Sequence, residues 1–210
     1  MKVLILGAGG NTGEAATIFT VKAGHEVTAF VYASEPTEFQ CTYVRIVRGD
    51  ARDLSLVRLA MSGQDAVLDM ISTHLPFWNT HVETECARTV IQAMRECGVR
   101  RLIALSSIGE SGSSSRLPCY YKYLILPTIR HGVITDKAEM EREVNSSQLE
   151  WTIIRPAPLI DGEPRGFRII DEDARLKALP ITRADVARFM VDQLSSHEYP
   201  NKSVTIAGVE

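Results

Sequence analysis

Lys2-Val3-Leu4-Ile5-Leu6-Gly7-Ala8-Gly9-Gly10-Asn11-Thr12-Gly13 is the stretch that decides the fold. Val3 to Leu6 form a short continuous apolar run, the pattern of a strand buried on both faces. The run passes directly into G-x-x-G-x-x-G, and a helical pattern follows over Thr12–Lys22. Three spaced glycines alone are a weak signal, but strand, glycine loop and helix in that order are the signature of a dinucleotide-binding turn. Gly7 permits the sharp turn, Gly10 lets the backbone approach a pyrophosphate, and Gly13 allows the helix to pack closely on the sheet. The helix N-terminus offers unpaired N–H groups and a partial positive charge to the phosphates, and Asn11 and Thr12 can add side-chain hydrogen bonds. A ligand-free glycine turn is the alternative, and nothing else in the pattern requires three such glycines.

Outward from this turn, short apolar runs alternate with segments of helical period. Strands are expected at Glu26–Val31, Tyr43–Val47, Ala66–Met70, Leu102–Ser106, Trp151–Ile154 and Ser203–Ile206. Helices are expected at Leu54–Met61, Val82–Cys97, Asp136–Asn145 and Arg183–Leu194. Asp53 and Thr182 stand where N-caps belong, and Gly24 and Gly98 where helices end. This is the pattern of an α/β Rossmann-type domain, doubly wound, with a mainly parallel sheet flanked by helices on both faces. With 210 residues, 45% of them hydrophobic, one such domain over 1–210 buries a sizeable core.

A net charge of −3 gives no electrostatic case for nucleic acid or an acidic membrane as partner. Arg45, Arg48 and Arg52 cluster locally, as a solvated face or an anion site. Cys41, Cys86, Cys97 and Cys119 form no C-x-x-C pair and read as reduced thiols. No basic region precedes a long apolar segment, so a cytoplasmic protein without a membrane anchor is expected. His25, His74, His81 and His131 lack partners at metal-ligand spacing, and no metal is expected.

The ribose end is less explicit. A strand selecting NAD usually finishes in an acid, and an arginine near that place favours NADP. Here Val31 is followed by Tyr32, Ala33 and Ser34. Tyr32 can stack on adenine and Ser34 can bond a phosphate, or both are simply loop residues. The irregular segment, about 108–135, opens on Gly109-Glu110-Ser111-Gly112-Ser113-Ser114-Ser115 and turns aromatic at Tyr120, Tyr121 and Tyr123. It follows the fifth strand on the ligand side of such a sheet, which suits a substrate lid, or else a helix packing a subunit contact. Monomer and homodimer are both compatible with it.

Several segments together resemble the atypical short-chain dehydrogenase/reductases. The likeness is greatest to the small NAD(P)H-binding proteins related to biliverdin-IXβ/flavin reductase and to nitrogen-metabolite-repressor-like regulators. The carrying segments are the glycine loop, Arg48-Gly49-Asp50, Gly63-Gln64-Asp65-Ala66-Val67, Leu105-Ser106-Ser107, Trp151-Thr152-Ile153-Ile154-Arg155-Pro156 and Ile181-Thr182-Arg183-Ala184-Asp185-Val186-Ala187. The resemblance implies NADP (or NAD) as cofactor and gives roles to matching positions. Asp50 and Ala51 would sit beside adenine, unless Asp50 is a capping acid. Ile71, Ser72 and Thr73 would line the middle of the cofactor. Ser106 and Ser107 would flank the nicotinamide, and backbone at Pro156–Pro158 would hold its carboxamide. Lys137 would bind ribose, or be a solvated lysine opening its helix.

The Tyr-x-x-x-Lys pair of most short-chain reductases is missing, since Val133 stands four residues before Lys137. Acceptors that draw their proton from water, such as flavins, quinones and linear tetrapyrroles, do not need that tyrosine. The reading is therefore an NAD(P)H-dependent reductase of a small planar acceptor. Ser107 is the candidate catalytic group bonding acceptor or carboxamide, or a serine satisfying backbone at a strand end. The tyrosines after Ser115 are candidates to stack the acceptor. The second reading is a non-catalytic redox sensor acting through a protein partner. A sugar-nucleotide epimerase fits poorly, because only about fifty residues follow the sixth strand, too few for a substrate domain.

Overall fold

The computed structural model describes residues 1–34, 39, 43–72, 81–108, 131–170, 178–196 and 198–209. Its elements in chain order are β1 (Lys2–Leu6), α1 (Asn11–Lys22), β2 (Glu26–Val31), β3 (Val44–Arg48), α2 (Leu54–Met61), β4 (Ala66–Asp69), α3 (Val82–Cys97) and β5 (Arg101–Leu105). There follow α4 (His131–Asn145), β6 (Glu150–Pro156), β7 (Leu159–Ile160), β8 (Phe167–Ile170), β9 (Ile181–Thr182), α5 (Arg183–Asp192) and β10 (Lys202–Gly208).

Eight strands form one sheet in the order β3-β2-β1-β4-β5-β6-β10-β8. The first seven run parallel, and β8 closes the edge antiparallel to β10. Both faces of β1 are buried, and successive residues divide between two cores. Val3 and Ile5 pack towards α1 and α5, Leu4 and Leu6 towards α2, α3 and α4. Each fully buried side chain of this size contributes about 1.5–3 kcal/mol. The chain order reverses between β1 and β4, so the strand ends open a crevice there.

The helix starts follow local chemistry. Asp53 accepts from the backbone N–H groups of Ser55 and Leu56 at 2.9 and 3.2 Å, and Thr182 Oγ1 accepts from Asp185 N at 3.0 Å. Gly98 ends α3 with φ of 74°, a left-handed conformation in which a Cβ would be strained. Two features differ from expectation. Helix α4 begins at His131, five residues before Asp136, so Lys137 lies in its second turn and is buried rather than solvated. The edge strand β8 and the parallel pair β7–β9 were also not expected from the pattern. They are two to four residues long, too short for a period to register, and β7 and β8 flank the turn-forming stretch Gly162-Glu163-Pro164-Arg165-Gly166.

Helix α3 is capped from another element. His81 at its N-cap position makes no side-chain capping bond. Asp136, on α4 and 1% exposed, takes over: its carboxylate accepts from Glu83 N and Thr84 N at 2.9 Å each, and from the Thr84 hydroxyl at 2.6 Å. Removing this carboxylate leaves buried donors unpaired. Asp136→Ala is expected to lower stability by about 2–3 kcal/mol, and Asp136→Asn by less because its carbonyl oxygen still accepts. Urea denaturation of the two variants measures this.

Candidate functional site

The glycine turn sits where β1 ends. Gly7 has φ of 71°, and a Cβ there would lie 2.7 Å from the Met70 carbonyl oxygen just beyond β4. At Gly13 a Cβ would stand 2.1 Å from the Gly7 carbonyl oxygen and 2.7 Å from Ala8 Cα. Both glycines are therefore imposed by backbone packing, one against β4 and one between helix and turn. Gly10 is different: its nearest neighbour to a Cβ would be the Gly7 oxygen at 3.5 Å, so the space beside it lies open. Gly10 is the N-cap of α1, extended in backbone and without a side-chain capping bond. Asn11 is exposed at the first helical position and Thr12 is buried beside it. The helix thus presents uncapped N–H groups to the crevice, a cradle that fits a pyrophosphate.

On the β2–β3 side, Tyr32 follows β2 with about half its surface exposed. Arg48, at the end of β3, pairs in register with Val31. Asp50 and Ala51 lie in the turn after β3, where the resemblance placed them. The Asp50 carboxylate, however, is gripped by Arg52, with Nε at 3.0 Å from Oδ1 and Nη2 at 2.6 Å from Oδ2. That hydrogen-bonded guanidinium holds the Asp50 carboxyl below its ordinary range. A carboxylate so engaged keeps less capacity to accept from an adenine amine. The capping acid is Asp53, not Asp50.

The β4–β5–β6 side is polar and buried, which is unusual for strand ends. Asp69 ends β4 in register with Leu6 and Ala104, both part of the core facing α2, α3 and α4. Its Oδ1 accepts from Ile71 N at 3.1 Å. Burial, and then the negative charge of Glu83, push this carboxyl up to about 6, against that hydrogen bond and the charge of Lys137. Lys137 Nζ is 2.7 Å from Glu83 Oε2, a pair 5% and 1% exposed. Arg155 Nε donates to Glu141 Oε1 at 2.9 Å in a second buried pair. Ser106 is 3% exposed, and its hydroxyl has no hydrogen-bond partner among the described residues. Two residues beyond Ala104, it stands on the same face as Asp69 by strand alternation. Buried hydroxyls rarely stay unpaired, so a polar ligand atom here would complete it.

The structure brings Gly7, Gly10, Asn11, Thr12, Gly13, Ile71, Ser72 and Ser106 to one edge of the sheet, with half-buried Ser107 next to Ser106. Backbone at 156–158 is already committed: Pro156 O accepts from Ile108 N, Ala157 N donates to Ile206 O, and Pro158 O accepts from Ile181 N. Thr73, His74 and the aromatic part of the expected lid, 109–130, lie outside the described residues. Sequence reading missed Asp69 and Glu83. Both sit in apolar or amphipathic runs and reveal themselves only through the packing of β4, α3 and α4. A separate cleft of about 480 Å³, lined by Lys2, Glu26, Tyr43, Arg45 and Gln64, opens at the opposite ends of β1–β3, remote from these residues.

The open space at Gly10 gives a direct test. Gly10→Val is expected to keep the fold, with a melting temperature close to the parent's, and to abolish NADPH and NADH binding because its side chain fills the phosphate space. Thermal unfolding and fluorescence titration check the two halves.

The chain matches the NAD(P)H-binding family over residues 7–197. It is 26% identical, over 98% of its length and 76% of the relative's, to an uncharacterized chloroplastic protein of Arabidopsis thaliana. It is 34% identical to a 2-alkyl-3-oxoalkanoate reductase of Stenotrophomonas maltophilia, over 51% of this chain and 33% of that protein. Among solved structures, the anaerobillin reductase ChuY of Escherichia coli O157:H7 superposes with a TM-score of 0.83 at 21% identity, covering 100% of this chain and 98% of that one. A short-chain dehydrogenase/reductase of Veillonella parvula in complex with NADP gives 0.80 at 17% identity, covering 98% and 94%. At such identities the two structures establish the Rossmann fold alone. No helix among the described residues is long and apolar enough to cross a membrane. With the glycine cradle and the matched span of 7–197 in agreement, this chain belongs to the NAD(P)H-binding family.

Proposed function

We propose that the protein is an NADPH-dependent reductase of a planar acceptor such as a flavin, a quinone or a linear tetrapyrrole. The observation that carries this reading is the buried hydroxyl of Ser106 at the β5 end, without a partner among the described residues and across the switch point from the adenosine side. A protein that only gripped the phosphates would have no use for an orphaned hydroxyl there, since it costs about 1–3 kcal/mol unpaired. The bound dinucleotide supplies the hydride. The α1 N-terminus and Gly10 hold its pyrophosphate, while Ser106 and Ser107 bond the nicotinamide carboxamide or the acceptor. Lys137, charged and fixed by Glu83, still has two N–H donors to offer a ribose. Val133 in place of the tyrosine restricts the chemistry to acceptors that do not need a phenolic acid.

For cofactor choice, β2 ends without the acid that would select NAD, and Arg48 lies one strand away from its end. The solved Veillonella parvula relative, itself in complex with NADP, agrees with this choice. Tyr32→Arg, at a half-exposed position, is expected to strengthen NADPH binding by about 1–2 kcal/mol through a charge-assisted phosphate contact and to leave NADH unchanged.

The deciding experiment titrates the purified protein with NADPH and NADH and then measures turnover on flavin, quinone and tetrapyrrole acceptors. Turnover with at least one acceptor, without the pH step of a titrating tyrosine, is expected. Tight NADPH binding with no turnover on the whole panel would replace this reading by a redox sensor that signals through a protein partner.

A further inference from the structure

Helices α3 and α4 meet in a clasp made of two consecutive residues from each. Asp136 accepts through its two carboxylate oxygens from Glu83 N and Thr84 N, and the Thr84 hydroxyl lies 3.1 Å from the Asp136 carbonyl oxygen. The next residue along α4 returns the bond: Lys137 Nζ donates to Glu83 Oε2 at 2.7 Å. Glu83 is thus held at both ends, its backbone N–H by one residue of α4 and its carboxylate by the following one. All four residues are at most 4% exposed. Joining the two helices does not require the ion pair. The Asp136 bonds already do so, with His81–Glu139 and Arg88–Glu143 at the surface. A buried ion pair also returns little net stability over an apolar pair of the same volume. What the pair does fix is the place of an ammonium. On its long flexible stem a lysine head samples many positions; with one N–H bonded to Glu83, its two other donors point in directions set by that bond. The ammonium lies towards the ligand edge of the sheet. Its charge reaches Asp69 at the end of β4, and Met70, the residue after it, packs against the glycine turn. Strand β4 lies between β1 and β5, on the side of the switch point away from β2. A dinucleotide whose pyrophosphate crosses at the switch point carries its nicotinamide half over these strands.

We propose that Glu83 is a positioning residue of the dinucleotide site, which acts through Lys137 on the nicotinamide-side ribose and makes the first turn of α3 part of a site otherwise built from the sheet edge, α1 and α4. The proposal rests on the reading above that Lys137 meets a ribose. Glu83 itself touches neither ribose nor ring. Its carboxylate keeps Nζ at one point, so the ribose hydroxyls meet donors that are already oriented, and less side-chain freedom is lost on binding. The Asp136 bonds to Glu83 N and Thr84 N keep the backbone behind that carboxylate in place. The effect is confined to one half of the ligand: the adenosine half lies on the β2–β3 side, away from the clasp.

The test reads binding alone and needs no turnover. Calorimetric titration of the whole protein with NADPH and with 2′,5′-ADP, which keeps the adenosine end and lacks the nicotinamide riboside, separates the two halves. Glu83→Gln, close in size and without the anion, is expected to weaken NADPH on the order of tenfold and to leave 2′,5′-ADP within about twofold. In a Lys137→Met background no ammonium is left to position, so adding Glu83→Gln should cost NADPH nothing further; a role in general stability would add its loss there undiminished. Equal losses for the two ligands, an NADPH affinity unchanged by Glu83→Gln, or an undiminished further loss in the double variant each overturns the proposal. Should Glu83→Gln not fold, Glu83→Asp keeps the charge and draws it back by one methylene. A smaller loss confined to NADPH is then expected, and equal losses or none would overturn the proposal. If these affinities behave as expected while no acceptor is turned over, the reductase reading alone fails.

Discussion

The ligand edge of this sheet depends on a contact that no side chain would survive. A Cβ on Gly13 would lie 2.1 Å from the carbonyl oxygen of Gly7, so only a bare backbone lets α1 start this close to the end of β1. That approach aims the helix N-terminus along the crevice, with no side chain capping it at Gly10. The same turn is wedged on its other side against Met70 and Ile71, so the β1–α1 turn and the end of β4 cannot move independently. The phosphate cradle and the buried polar groups beyond β4 are thereby held in one frame.

The two faces of the sheet are built differently. Towards α1 and α5 the core is largely apolar, with Phe189 edge-on against Phe167 at 5.1 Å between ring centroids, and the buried Arg101 and Asp185 there bond mainly to backbone. Towards α3 and α4, the crevice end carries charges that are paired almost without solvent. Burying ions costs several kcal/mol each, and a pair returns that only with close geometry. A structure concerned with stability alone would fill the place with Leu or Met. The charges sit at the same edge of the sheet as the glycine turn.

Most of the scaffold was legible because its signals are local. Val3–Leu6 and Ala66–Leu68 are continuous apolar runs, Asp53 and Thr182 cap the helices that follow them, and Gly98 ends α3 as a left-handed residue. The glycine loop was legible for the same reason. What escaped was long-range. Asp69 reads as the polar end of a strand until Glu83, fourteen positions later, and Lys137, sixty-eight positions later, are packed beside it. The capping of α3 by Asp136 crosses fifty-three residues, and no window along the chain contains both ends. At Asp50 the sequence leaves open whether Arg52 is solvated or paired with it, and only geometry decides.

The trans-cap and the Glu83–Lys137 pair join the same two helices within a single turn of each. Their consequence is evolutionary. A drift to Ala at 136 removes the acceptor of donors at 83 and 84, and a neutral residue at 137 takes the ammonium from a buried carboxylate, so neither position can wander freely while the start of α3 stays as it is. Substitutions along this lineage must then arrive as sets: 83 with 137, and the residue at 136 with the entire opening of α3. Divergence in this part of the protein would proceed by rare concerted exchanges rather than by steady independent change.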